Sequence, residues 1–128
     1  METMLRTALA AWLRADPALA ALNAVEEEAP LRATPPWLGI AASASADWST
    51  KTRAGREVRI ALELHCRGDD PLPPGALARA VQARIEAMPR SQPGFAIANA
   101  LFLRARAERR ADNLRSILIE YRFRVLEA

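Results

Sequence analysis

EVRIALELHCR, Glu57 to Arg67, is the stretch that decides the fold. Val58, Ile60, Leu62, Leu64 and Cys66 alternate with Arg59, Ala61, Glu63, His65 and Arg67. Successive side chains of a strand point to opposite faces, so this period of two predicts a β-strand with one apolar and one polar face. The pattern returns at Ser116 to Leu126, where Ile117, Ile119, Tyr121, Phe123 and Val125 alternate with Leu118, Glu120, Arg122 and Arg124. Each of these strands has a partner before it in the chain. Trp37 to Ser45 (WLGIAASAS) alternates loosely, carries no helix caps and reads as a strand. The polar, turn-prone DWSTKTRAG, Asp47 to Gly55, joins it to Glu57–Arg67 as a hairpin with a long tip. Ile97 to Ala107 (IANALFLRARA) reads as the fourth strand, and RRADN, Arg109 to Asn113, turns it into the last one. Its phase predicts Leu101, Leu103, Ala105 and Ala107 inward, with Phe102, Arg104, Arg106 and Glu108 outward.

Helices come before each hairpin. Met4, Leu5, Ala8, Leu9, Trp12 and Leu13 form one apolar stripe at helical spacing. Asp16-Pro17 stops and restarts that helix, with Asp as N-cap and Pro at the first helical position, which predicts a short second helix over Ala18 to Ala24. Gly68 to Gly75 (GDDPLPPG) reads as a turn. The helix after it carries Leu77, Ala80, Val81, Arg84, Ile85 and Met88 on adjoining positions, and Pro89 stops it. The order is thus α-α-β-β-α-β-β. It predicts an α+β fold: an antiparallel sheet of about four strands in two hairpins, with helices packed on one face. Leu9, Trp12, Leu62, Leu64, Val81, Ile85, Ile119, Tyr121 and Phe123 occupy the inward phases and are the expected core.

The chain has 128 residues, the size of one ordinary domain, and nothing in its composition divides residues 1–128. With 1 Cys and 1 His it has neither a disulfide framework nor a zinc site of several Cys and His. The longest uncharged stretch, Ala33 to Ala46, is too short and too broken by Pro and Gly to span a bilayer. METMLRTALAAWLRAD carries Glu2, Arg6 and Arg14 within its apolar pattern and does not read as a signal peptide. The expectation is a cytoplasmic protein or one released by lysis, with no membrane contact.

Formal net charge is +3, and 17 of the 18 basic residues are Arg. Residues 1–50 hold 3 basic and 6 acidic residues; residues 51–128 hold 15 and 9. Such asymmetry fits nucleic-acid binding, or a protein whose opposite faces meet in an assembly. The polar sheet face offers little to nucleic acid. Only Phe102 is placed there for base stacking, and Glu63, Glu108 and Glu120 interrupt the basic field, with Arg59, Arg104 and Arg122 as cross-strand partners.

Catalytic signatures are absent. There is no Walker, dinucleotide, zincin or nucleophile-elbow motif, and no cofactor is implied. His65 and Cys66 are neighbours on a strand and point to opposite faces, which reads as a solvated His and a buried Cys. Asp69-Asp70 read as turn and capping residues, and Glu26-Glu27-Glu28 as a solvated run. Trp48 stands out within the polar tip. It either folds back on the sheet or is exposed, and exposed Trp and Arg are the usual anchors of protein interfaces. Trp48, Ser49, Thr50, Lys51, Arg53 and Arg56 form the candidate partner-binding site, a docking arm.

The helix–hairpin–helix–hairpin order, DWSTKTRAGREVRIALELHCRGDD (Asp47 to Asp70), ADPALAALN (Ala15 to Asn23), ALARAVQARIEAM (Ala76 to Met88) and ILIEYRFRV (Ile117 to Val125) together resemble the tail terminators, small tail-completion proteins of long-tailed phages and gene transfer agents. The likeness spans nearly the whole chain, and Trp48-Ser49-Thr50-Lys51 is its most specific part. It implies a structural protein, not an enzyme. It implies a hexameric ring at the head-proximal end of the tail tube, in the neck of a particle assembled in the bacterial cytoplasm. Such a ring stops tube polymerisation and docks to head–tail connector proteins, and DNA passes through its hole without specific binding. A free-standing basic nucleic-acid-binding module is the alternative; steep salt dependence of binding would mark it.

Overall fold

In the computed structural model, which describes residues 1–27 and 33–128, the two clearest sequence patterns lie side by side at the centre of one sheet. We label the strands β1 (Val25–Glu26), β2 (Trp37–Asp47), β3 (Gly55–Arg67), β4 (Ser91–Gln92), β5 (Phe95–Arg109) and β6 (Leu114–Glu127). β3 and β6 pair antiparallel from Gly55 opposite Leu126 to Arg67 opposite Leu114, with no break in register. Paired residues share a face. Val58, Ile60 and Leu62 therefore stack beside Phe123, Tyr121 and Ile119, and all six are buried.

Two helices, α1 (Glu2–Arg14) and α2 (Leu72–Glu86), cover this apolar face. α1 inserts Leu5, Leu9 and Leu13; α2 inserts Ala78, Val81 and Ile85; these join the strand residues in one hydrophobic cluster. Burying a Leu, Ile, Val or Phe side chain contributes about 1.5–3 kcal/mol, so this cluster is the main source of stability. Of the expected core only Trp12 is half-buried, because it sits at the rim between α1 and α2.

The α+β class and both hairpins are present, but among the described residues the sheet has six strands in the order β1-β2-β3-β6-β5-β4 and is not wholly antiparallel. β1 pairs parallel with β2, Val25 opposite Leu38, and β4 pairs antiparallel with β5. A two-residue strand is too short to show a period, so neither could be read from sequence. β1 also explains why the second helix is only a 3₁₀ turn, Pro17–Leu19. Asp16 caps it as expected, its Oδ1 accepting from the Ala18 N–H at 3.0 Å. Then the Asn23 N–H donates to the Pro36 carbonyl at 2.8 Å and the Leu38 N–H donates to the Ala24 carbonyl at 3.0 Å. Sheet pairing takes the backbone groups that a continued helix needs.

α2 starts earlier than expected. The Asp70 carboxylate accepts from the Leu72 N–H at 3.0 Å, and Leu72 to Gly75 form the first turn. Pro is tolerated there because first-turn N–H groups have no helical partner. The expected phase of β5 needs a correction. Its register with β6 shifts between Ile97 and Asn99 and again between Phe102 and Arg104. Phe102 lies opposite Tyr121 and meets its ring edge-on at 5.6 Å, on the helix side, whereas Leu101 lies opposite Arg122 on the polar side. Each bulge inserts one residue and flips the phase. Ala105 and Ala107, beyond the second bulge, keep the predicted face opposite Ile119 and Ile117.

Candidate interaction surface

The tip of the β2–β3 hairpin holds its own shape. The Trp48 N–H donates to the Gly55 carbonyl at 2.9 Å, and the Thr50 N–H donates to the Arg53 carbonyl at 2.8 Å. Thr50 Oγ1 accepts from the Arg53 N–H at 3.0 Å, closing a turn over Lys51 and Thr52. Ser49 Oγ donates to Asp47 Oδ1 at 2.7 Å and accepts from the Gly55 N–H at 3.1 Å. A Cβ at position 55 would stand 2.5 Å from the Trp48 carbonyl oxygen, so only glycine fits this approach.

The tip is also tied to the end of β6. Arg53 donates from Nε at 2.9 Å and from Nη2 at 2.6 Å to the Glu127 carbonyl, and the Glu127 N–H donates to the Ala54 carbonyl at 2.9 Å. Trp48 is half-buried, with the Arg124 guanidinium 5.4 Å from its ring centroid. It therefore folds partway back over the sheet. Ser49, Thr50, Lys51, Arg53 and Arg56 are exposed beside it, and Arg56 lies opposite Asp47 in the β2–β3 ladder. All six residues of the candidate site thus sit together at one end of the sheet.

The polar face is laced with ion pairs, though not all in the expected pairings. Arg104 grips Glu120 with two bonds, Nε at 2.8 Å and Nη2 at 3.2 Å. Glu63 takes Arg110 at 2.9 Å and not Arg59, while Glu108 takes Arg106 at 2.6 Å. Glu57 faces Arg124 at 3.1 Å and Arg122 at 3.8 Å. The second bulge of β5 moves its Arg residues one place along β6, which cross-strand spacing does not reveal. Exposed pairs of this kind contribute about 0–1 kcal/mol each; they cancel charge more than they stabilise.

His65 is not simply solvated. Its ring stacks on Trp37 at 4.1 Å and 11°, with Glu63 Oε1 3.8 Å from Nε2. Removal from water holds its pKa below the usual histidine value, against the pull of Glu63. Cys66 is buried as expected, and burial pushes its thiol pKa up. Among the described residues no group of three or more His, Cys, Asp or Glu is placed to hold a metal ion. Glu26 and Glu27 lie at the sheet margin; Glu28, the third of the expected run, lies outside the described residues. A depression of about 210 Å³ on the polar face is lined from all four long strands, with Ala42, Ala44, Ala61 and Leu103 beside Arg59 and Glu120. No described helix is long and apolar enough to cross a membrane.

A sheet covered by helices on one face, with a polar outer face and a self-ordered cationic tip, has the form of an interaction module. The model of the family "Tail completion protein gp17" matches residues 7–126. The chain belongs to this family of phage-type tail completion proteins, and is a structural protein of such tails. None of the curated proteins matches it by sequence. Among solved structures it is similar to a chain described as "Virion of native gene transfer agent (GTA) particle". That likeness has a TM-score of 0.79 and 28% identity, and covers 98% of this chain and 96% of the other.

Sequence reasoning located the tip but missed its tie to Glu127 and the exposed Leu101–Phe102 pair. Arg53 and Glu127 are far apart in the chain, and only the closed sheet brings them together. The bulges that expose Leu101 and Phe102 interrupt an alternation that otherwise looks continuous.

Proposed function

We propose that this protein is a tail terminator. Copies form a ring, hexameric by the resemblance, on the head-proximal end of a tail tube. The ring stops tube growth and then presents the surface to which head–tail connector proteins bind. It sits in the neck of a phage-like particle assembled in the bacterial cytoplasm, and DNA passes through its hole without specific binding. The end-to-end likeness to a chain of a gene transfer agent virion carries the reading, since it covers both chains almost completely.

Within that role, Trp48, Ser49, Thr50, Lys51, Arg53 and Arg56 form the docking surface for the tube or connector. An aromatic backed by a guanidinium and ringed by cations is the residue mix that anchors protein partners. Its hydrogen-bonded turn means that little ordering cost remains on binding. The test is particle assembly with Trp48→Ala and with Lys51→Glu. Both variants should fold normally and give tails that fail to join heads or tubes of uncontrolled length. Normal particles from both would contradict the tip's role.

A nucleic-acid-binding module is the other reading, and the ion pairs of Glu57, Glu63, Glu108 and Glu120 speak against it. Micromolar DNA binding at physiological salt, with a log–log salt slope of about −0.9 per phosphate contacted, together with normal assembly by the tip variants, would favour it.

A further inference from the structure

β1 covers only Leu38 and Gly39 of β2, and β4 covers only Phe95 and Ala96 of β5. Beyond them, Ala41–Asp47 of β2 and Ala98–Arg109 of β5 have a strand on one side only among the described residues. The β5 edge is long, and its stretch Ala100–Leu103 is apolar. Leu101 is 46% exposed and Phe102 39%, on opposite faces, and Ala98, Ala105 and Ala107 are exposed with them. A strand of this kind presents unpaired N–H and C=O groups beside greasy side chains, and native proteins cover it or aggregate. The β2 edge is lined by exposed small residues, Ala41, Ala42, Ala44, Ser45 and Ala46, which leave room for a neighbour.

We propose that copies of this chain join head to tail through these edges, β5 of one copy against β2 of the next. The proposal rests on the self-assembly reading above and names the surface that performs it. Direction fits. β2, β3, β6 and β5 alternate in direction, so β5 runs opposite to β2. A copy rotated about an axis along the strands keeps that sense, and its β2 meets β5 antiparallel, as within each subunit. Level fits as well. Traced across the ladders, Ala42 stands level with Arg104 and Asp47 with Ile97, so a neighbour rotated without a shift sets small Ala44 and Ser43 beside the exposed Leu101 and Phe102. A two-fold contact of β5 with itself would leave both β2 edges bare and end the assembly at two. A head-to-tail contact continues until the ring closes and removes every free edge.

The experiment uses Ala44→Lys, which blocks the β2 edge, and Leu101→Lys, which blocks the β5 edge, each at an exposed position. Circular dichroism and melting of both should match the parent protein. By native mass spectrometry the parent is expected as a closed ring, each variant alone as a monomer, and an equimolar mixture as a one-to-one dimer that grows no further, since one good β5 edge meets one good β2 edge. Variants that still form the parent's ring overturn the edge contact and leave the ring reading standing. Ala44→Lys forming dimers while Leu101→Lys forms none means a two-fold β5 contact and overturns it, as does a mixture that stays monomeric. A parent that is monomeric at every soluble concentration contradicts the ring and the edge contact together.

Discussion

Trp12 and Arg84 hold α1 and α2 together by a reciprocal clasp. The Trp12 indole N–H donates to the Arg84 carbonyl at 2.6 Å, the Arg84 Nε–H donates to the Trp12 carbonyl at 2.8 Å, and the guanidinium lies 3.3 Å from the ring centroid. Each residue satisfies the other's backbone at the rim of the core. Removing Arg84 loses a cation–π contact and a charged hydrogen bond, so Arg84→Ala is expected to cost about 2 kcal/mol in chemical denaturation. A loss under half of one kcal/mol would show that the clasp is ornamental.

Leu64 lies on the helix face of β3 opposite Ile117 and is fully buried. Leu64→Ala leaves a cavity among side chains that cannot all close in, and should cost about 2–5 kcal/mol. Denaturant melts of the single variant check this. A surface-like change would mean the strand phase is misread.

Acid should weaken the fold partly through His65. Its folded pKa is held below the unfolded value by burial against Trp37. The unfolded chain therefore binds the proton more readily, and stability is fully present above the unfolded histidine pKa of about 6.5. It declines as pH falls from there through the folded value. His65→Phe keeps the stacking and removes the titration. Its stability-against-pH curve should be flatter over this window than that of the parent. Parallel curves would exclude His65 as the cause.

Gly55 is the pivot of the tip, where any Cβ meets the Trp48 carbonyl at 2.5 Å and Leu126 Cδ2 at 2.9 Å. Gly55→Val should spread the hairpin and break the Trp48–Gly55 pair. Amide exchange reads this directly: the Trp48 and Thr50 amides are expected to be protected in the parent and to exchange faster in the variant, with the β3–β6 ladder unchanged from Val58 to Arg67, away from the Gly55–Leu126 end. Equal exchange at both amides would count against the close approach.

How much was legible in the residues follows from where periodicity survives. Leu62 and Ile119 sit in uninterrupted alternation, and both strands, their faces and their burial were readable from it. Asp16 and Asp70 announce helix starts because capping is local chemistry. Phe102 was assigned to the wrong face because a bulge is a change of count, and IANALFLRARA alternates plausibly on either side of it. Val25 and Ser91 begin strands of two residues that only their partners define. At the candidate site, Trp48 and its cationic neighbours were visible as a local anomaly, whereas the Arg53–Glu127 tie and the stacking of His65 on Trp37 needed the folded sheet.

The measurement that bears most directly on the central claim is the length distribution of tail tubes, by negative-stain microscopy, from particles assembled with and without this chain. With it, tubes should share one length, each capped by a ring at the head-proximal end and joined to a head. Without it, tubes should run to variable lengths and stay unjoined. Uniform, head-joined tubes in its absence would contradict the terminator account.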